Sequence, residues 1–168
     1  MMRILITGIT GEIGCRMVPT LRQINNAEIY VSSRNLNNLY FNKKFLEENN
    51  IKFLEMDLTD EKSIFGQSKI LGKITNLIHL AGLIQDSKDV IKDVDSHLEK
   101  NIFATTKLLS YMTGLNQIIF ASSCSVYGSQ KIPINENSAT DPLNIYSASK
   151  LILEKLLSIH CKDNNIRL

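Results

Sequence analysis

An open parallel α/β sheet, wound with helices on both faces, is the fold this sequence predicts. Two observations carry that expectation. Short apolar runs alternate with longer helix-patterned stretches along the whole chain. A glycine-rich turn, Thr7-Gly8-Ile9-Thr10-Gly11-Glu12-Ile13-Gly14, stands between the first apolar run and the first helical stretch. Strand–helix alternation requires crossover connections, and these produce a parallel sheet covered on both sides. The expected strand order is 3-2-1-4-5, within a single domain over residues 1–168.

Taken in order, strands are expected over 3–7, 27–32, 51–55, 76–80 and 117–122. Each is rich in Ile, Leu or Val and bounded by Gly, Asn, Asp or Ser. Helices are expected over 12–24, 36–48, 60–70, 88–113 and 146–163. Pro19 sits awkwardly inside the first of them, because it removes a backbone donor and favours a kink. No repeat, low-complexity tract or linker divides the chain. The stretch 128–144 reads as a long loop carrying two of the three prolines, a length typical of lids and binding loops.

Bulk properties narrow the function classes. At 168 residues, 21% charged and 43% apolar, the composition is that of an ordinary globular domain. A net charge of +2 is too small to point to nucleic acid or an anionic membrane. No apolar stretch approaches the roughly 20 residues that span a bilayer, and the short opening Met-Met-Arg-Ile-Leu-Ile does not read as a signal peptide. Cys15, Cys124 and Cys161 form no CxxC pair, and His79, His97 and His160 show no metal-ligand spacing. A reducing cytoplasm follows as the expected setting, with no metal. Cys124 has no histidine close in sequence to activate it and is expected to be a small packed side chain.

Two motifs carry chemistry by residue type and spacing. Glycines at 8, 11 and 14 permit a tight turn and a close backbone approach to a ligand, and the helix that follows offers unpaired N–H groups to a pyrophosphate. Further along, Tyr146 and Lys150 lie four residues apart in Tyr-Ser-Ala-Ser-Lys, on one face of a helix. Tyrosine is a poor base at neutral pH. A neighbouring ammonium favours its phenolate, as does the positive ring of an oxidised nicotinamide.

These motifs do not stand alone. Met-Asp-Leu-Thr-Asp at 56–60, His-Leu-Ala-Gly at 79–82, Asn-Ile-Phe-Ala-Thr at 101–105, Ser-Ser-Cys-Ser-Val-Tyr-Gly at 122–128 and Pro-x-x-Glu at 133–136 fall between them. With that ordered set, the chain resembles the N-terminal, cofactor-binding part of the extended short-chain dehydrogenases/reductases. This is the NAD-dependent epimerase/dehydratase family, with its Rossmann fold. The resemblance covers essentially the whole chain. It implies cofactor contacts at Gly8, Thr10, Gly11, Glu12, Ile13 and Gly14. It sets Asp57 and Leu58 along the adenine, with Leu80, Ala81 and Gly82 beneath the cofactor. Asn101 matches the helical asparagine that supports the active-site hydrogen bonds. Ser123 matches the serine that orients the substrate oxygen, Tyr146 the base, and Lys150 the group that assists Tyr146 and holds the ribose. Pro133, Glu136 and Pro142 match a loop over the active site, without fixing a role for Glu136.

The chain departs from the family pattern in two places. Where NAD-binding members carry an acidic residue after the second strand, this chain has Val31-Ser32-Ser33-Arg34. Serine hydroxyls and an arginine suit a 2′-phosphate that a carboxylate would repel, so NADP is expected over NAD, with Arg34 as a contact. Family members also run to roughly twice this length, and their second half forms the substrate lobe. The sequence is therefore expected to be a fragment that stops before a sixth strand, and activity by this part alone is doubtful. The expected whole is an oxidoreductase, epimerase or dehydratase acting on a nucleotide-linked sugar. The alternatives are a reductase of a non-sugar carbonyl, or a module that binds NADP(H) without turnover. Helices matching 88–113 and 146–163 often pair between copies in this family, which makes a homodimer an expectation.

Overall fold

The structure, a computed structural model, describes residues 1–21, 23–35, 43–84 and 89–168. Five parallel strands form one sheet: β1 (Met2–Thr7), β2 (Ala27–Ser33), β3 (Ile51–Glu55), β4 (Asn76–His79) and β5 (Gln117–Phe120). Their order is β3-β2-β1-β4-β5, as expected from the sequence. From β1 the chain adds β2 and β3 on one side of the sheet and then β4 and β5 on the other, so the winding reverses between β1 and β4. A crevice opens beyond the strand ends at such a switch point.

Alternation along the strands explains the two-sided winding. In β1, Leu5 faces one apolar cluster while Ile4 and Ile6 face another. In β2, Tyr30 joins the first cluster, and Ile29 and Val31 the second. A period of two with apolar residues at every position is the pattern of a strand buried on both faces. Helix α1 (Glu12–Leu21) covers the second cluster with Cys15, Val18 and Leu21, joined by Leu46 of α2 (Lys43–Glu48). The first cluster is covered by α3 (Glu61–Gly66), α4 (Ser68–Leu71), α6 (Ala104–Ser110) and α7 (Ile145–Asp163). They contribute Ile64, Leu71, Leu108 and, from α7, both Leu157 and Cys161.

Local chemistry sets the ends of the helices. Asn144 caps α7 by accepting the Ser147 N–H at 2.8 Å. At the far end His160 and Lys162 complement the helix dipole, and Asn165 takes a left-handed φ of 55° just past it. Pro19 stays inside α1. The helix expected over 60–70 is two, α3 and α4, broken after Gly66, a poor helix former. Of the helix expected over 36–48, the first seven positions lie outside the described residues, as do position 22 of the first helix and position 88 of the fourth. The fourth helix is α5 (Val90–His97), a π-helical turn (Leu98–Phe103) and α6 in succession. The strands expected to reach 80 and 122 leave the sheet earlier, at His79 and Phe120.

Where the sequence places the start of another strand, Arg167 makes a parallel bridge to Gln117. The Ile118 N–H donates to Arg167 O at 2.8 Å, and the Arg167 N–H to Asn116 O at 3.0 Å. Beside β4, Ile118 is fully buried but Ile119 is 51% exposed. Among the described residues, no helix is long and apolar enough to cross a membrane.

Leu77, at the middle of β4, is 1% exposed. Leu77→Ala should cost about 2–5 kcal/mol of stability, as large-to-small core changes do. Ile119→Ala should cost less than about 1.5 kcal/mol, since half of that side chain already meets water. Urea denaturation of the two variants checks the contrast.

Candidate functional site

A cavity of about 390 Å³ lies across the C-terminal ends of β1, β2, β3 and β4, at the switch point. Its floor is the glycine turn, with Gly8, Thr10 and Gly11 in the wall. Gly8 has a φ of +73°, and a β-carbon there would sit 2.5 Å from Ala81 N. No side chain fits between the turn and the end of β4. A β-carbon on Gly14 would lie 2.5 Å from Gly8 O, so this glycine lets α1 seat directly on the turn. Glu12 and Ile13 begin α1 just beyond the cavity wall. Glu12 is paired with Arg16 at 2.6 Å, and Ile13 is 60% exposed.

One end of the cavity is built from the residues after β2 and β3. Ser32, Ser33, Arg34, Met56, Asp57, Leu58 and Thr59 line it. Asp57 Oδ1 accepts the Thr59 N–H at 2.9 Å and the Thr59 hydroxyl at 2.8 Å, so the carboxylate is held in a fixed turn. Asp60, not Asp57, caps helix α3. The Ser33 hydroxyl donates to Asn35 O at 2.5 Å, and Arg34 is exposed at the rim.

At the other end, Leu80, Ala81, Gly82, Leu83, Ile84 and Lys100 form the wall. Behind Gly82 stands the Tyr146–Lys150 pair. A β-carbon on Gly82 would lie 3.3 Å from both Lys150 Nζ and Asn101 Oδ1. Lys150 is 4% exposed and donates to Ala121 O at 2.9 Å. Its Nζ is 4.7 Å from the centre of the Phe120 ring and 5.8 Å from that of Tyr146. Burial pushes the Lys150 ammonium below the ordinary lysine range. Ser123 caps a short 3-10 turn (Cys124–Tyr127) that packs against α7. Its hydroxyl lies 2.8 Å from that of Ser125, while Ser122 next to it bonds Glu154 of α7.

Asn101, carried by the π-helical turn, does not line the cavity; it clips the site together. Its Oδ1 accepts the Leu83 N–H at 2.6 Å. Its Nδ2 lies 3.1 Å from Leu83 O, 3.0 Å from Ser149 Oγ and 2.9 Å from His97 Nδ1. Ser149 in turn donates to Tyr146 O at 2.7 Å. The loop under the cavity and the first turn of α7 are thus joined through one amide.

His79, 2% exposed, extends this network to β1. Thr105 Oγ1 donates to Asn101 O at 2.6 Å, so at 2.8 Å it must accept from His79 Nε2. The His79 Nδ1 is then an acceptor, and the Thr7 hydroxyl donates to it at 2.7 Å. Thr7 Oγ1 also accepts the Ala81 N–H at 3.3 Å. Every hydrogen in the chain is assigned with a neutral imidazole. Burial, helped by the nearby Lys150 charge, lowers the His79 pKa from 6.5 to about 3.

Cys124 corrects an expectation. It is exposed on the 3-10 turn rather than packed, while Cys15 and Cys161 are buried. Lys100 was not singled out in the sequence. The only sequence signal for it is its place next to Asn101. Thr59, Leu83 and Ile84 also enter the wall with no role assigned from the sequence; Thr59 follows Leu58, and Leu83 and Ile84 follow Gly82. No group of three or more His, Cys, Asp or Glu among the described residues could hold a metal ion.

The His79 shift has a definite sign. The unfolded chain takes up a proton near pH 6.5, whereas the folded chain does not until about pH 3. The stability it contributes is complete above pH 6.5 and is lost as pH falls. Between pH 7 and 5.5 the loss should be about 1 kcal/mol. Urea midpoints across that window test it. His79→Gln should flatten the slope, and an equal slope in both proteins would exclude His79 as its source.

Comparison with known proteins identifies the framework. Residues 4–168 match the NAD dependent epimerase/dehydratase family. The bifunctional protein gal10 of Schizosaccharomyces pombe is 31% identical over 176 residues, covering 98% of this chain and 24% of that protein. A UDP-glucose 4-epimerase from Lactobacillus helveticus is 29% identical, over 99% of this chain and 49% of its own length. Among solved structures, the UDP-Glc/GlcNAc 4-epimerase of Campylobacter jejuni superposes with a TM-score of 0.79 at 26% identity, over 98% of this chain and 50% of that one. A UDP-glucuronic acid 4-epimerase variant from Bacillus cereus, in complex with NAD and UDP-4-deoxy-4-fluoro-glucuronic acid, gives 0.80 at 25% identity, over 98% and 54%. The chain spans between a quarter and about half the length of these relatives. It belongs to the NAD dependent epimerase/dehydratase family.

Proposed function

We propose that this chain binds a nicotinamide dinucleotide and supplies the proton-handling residues of an enzyme that oxidises a hydroxyl of a nucleotide-linked sugar. The outcome is epimerisation, dehydration or net oxidation. The observation that carries the reading is the position of Gly82. One side of it walls the cavity, and the other abuts Lys150 Nζ and Asn101. A dinucleotide lying across the strand ends reaches the Tyr146–Lys150 pair only over a residue without a side chain.

The cavity wall suits such a group. Asp57 Oδ2, with no partner among the described residues, can accept from an adenine amino group. Leu58, Met56 and Leu80 offer apolar surface, and the start of α1 presents N–H groups to phosphate. When bound, the nicotinamide provides the hydride acceptor. Tyr146, as phenolate, takes the hydroxyl proton, and the adjoining Lys150 ammonium stabilises that anion. Ser123, just past β5 at the head of the 3-10 turn, orients the same oxygen through its hydroxyl. Lys150 holds its own place through Ala121 O, which leaves donors for a ribose hydroxyl.

Ser32, Ser33 and Arg34 in the wall, with no carboxylate among them, favour NADP over NAD. Three free cysteines suit a reducing, cytoplasmic setting. Exposed Ile91, Phe103, Ile152 and Ile159 lie on α5, the π-helical turn and α7, and they support pairing of two copies through these helices.

Calorimetric titration of the 168-residue chain with NADP+ and NAD+ tests the cofactor. NADP+ should bind more tightly, and Arg34→Gln should weaken it about tenfold while leaving NAD+ unchanged. Tighter NAD+ binding would retire the phosphate argument and keep the dinucleotide one. Absence of binding by either would defeat both. For catalysis, Tyr146→Phe should reduce nucleotide-sugar turnover by about 100-fold or more with little change in cofactor affinity. Wild-type rates in this variant would remove Tyr146 from the chemistry.

A further inference from the structure

We propose that Lys100 is the cation that holds the cofactor's pyrophosphate from the β4 side of the cavity. The assignment rests on the dinucleotide reading above. Among the described lining residues the cationic side chains are Arg34 and Lys100, and the acidic one is Asp57. Arg34 and Asp57 follow β2 and β3, at the adenosine end. Lys100 stands across from them. Its neighbour Asn101 bonds Leu83, which follows β4, and β2 and β4 are separated by β1. Two strand spacings put roughly 10 Å between the ends that these side chains serve.

Among the described lining residues, no carboxylate stands at that end. Lys100 is exposed and makes no ion pair or hydrogen bond among the described residues. A dinucleotide spanning the cavity carries its negative charge at the pyrophosphate, where α1 begins, and positive charge on the nicotinamide. An ammonium on this side therefore finds its counter-charge in the pyrophosphate, opposite the α1 N–H groups. The backbone fixes the approach. Asn101 is 1% exposed and anchored to the loop and α7, so the adjacent Lys100 is carried at a set position on the rim. Its flexible stem supplies the remaining reach.

The test is calorimetric titration of the chain with NAD+ and NADP+, each at low and high salt. Lys100→Gln should weaken both cofactors by the same factor, about tenfold at low salt, because the pyrophosphate is common to them. The difference should shrink at high salt. Lys100→Arg should restore binding to within about twofold. Unchanged affinity and salt dependence in Lys100→Gln would overturn the proposal. Weakening of NADP+ alone would also overturn it, by moving Lys100 to the 2′-phosphate. If the wild-type chain bound neither cofactor, the dinucleotide reading itself would fall. Equal melting temperatures of wild type and variants exclude misfolding as the cause, as expected for an exposed side chain.

Discussion

The approach of the glycine turn to the end of β4 is the constraint on which the rest of the site depends. With 2.5 Å between Ala81 N and any β-carbon at Gly8, the two segments touch backbone to backbone. That contact sets the height of the cavity floor. It also brings Ala81 within reach of the Thr7 hydroxyl, and Gly82 against Lys150. A methyl group at position 8 would part β1 from the loop after β4 and disturb both the cavity and the network behind it.

The network behind the floor is polar, buried and fully paired among the described residues. Such arrangements are stabilising only when complete, because an unmatched buried donor or acceptor costs about 1–3 kcal/mol. Thr7, His79, Thr105 and Asn101 meet that condition with a neutral imidazole. Lys150 meets it differently. Its charge is taken from water and compensated in part by Ala121 O and by the faces of Phe120 and Tyr146. Burial still wins, and the ammonium is left easier to deprotonate than a free lysine. A single cation beside Tyr146 and next to a buried, neutral His79 keeps the local charge simple.

Much of this was legible from the residues, for reasons that differ by element. The strands follow from apolar runs and alternation, which core burial imposes directly, and their order from the doubly wound class that the glycine turn marks. The glycine turn and the Tyr146–Lys150 spacing are short-range patterns whose geometry is fixed by backbone sterics and helix pitch. What was not legible depended on tertiary context. The buried stripe Asp93-His97-Asn101 is polar, so apolar periodicity passes over it and over the π-helical turn it contains. Cys124 resembles a packing residue by type, yet the 3-10 turn capped by Ser123 presents it to solvent. Lys100 looks like any surface lysine until the cavity wall is drawn.

The π-helical turn has a bearing on how this region can change length. A π-turn holds about one residue more than an α-turn, so this stretch takes up one extra residue while α5 and α6 keep the mutual phase of a continuous helix. A further residue inserted between Leu98 and Phe103, with no second wide turn to absorb it, would rotate α6 by about 100° relative to α5. Thr105 would swing away from His79 and Leu108 out of the core, although no side chain in either element had been altered. The stretch is therefore a molecular vernier. Removing the extra residue would return the turn to α-helical geometry with the phase kept, whereas adding another would misplace both side chains.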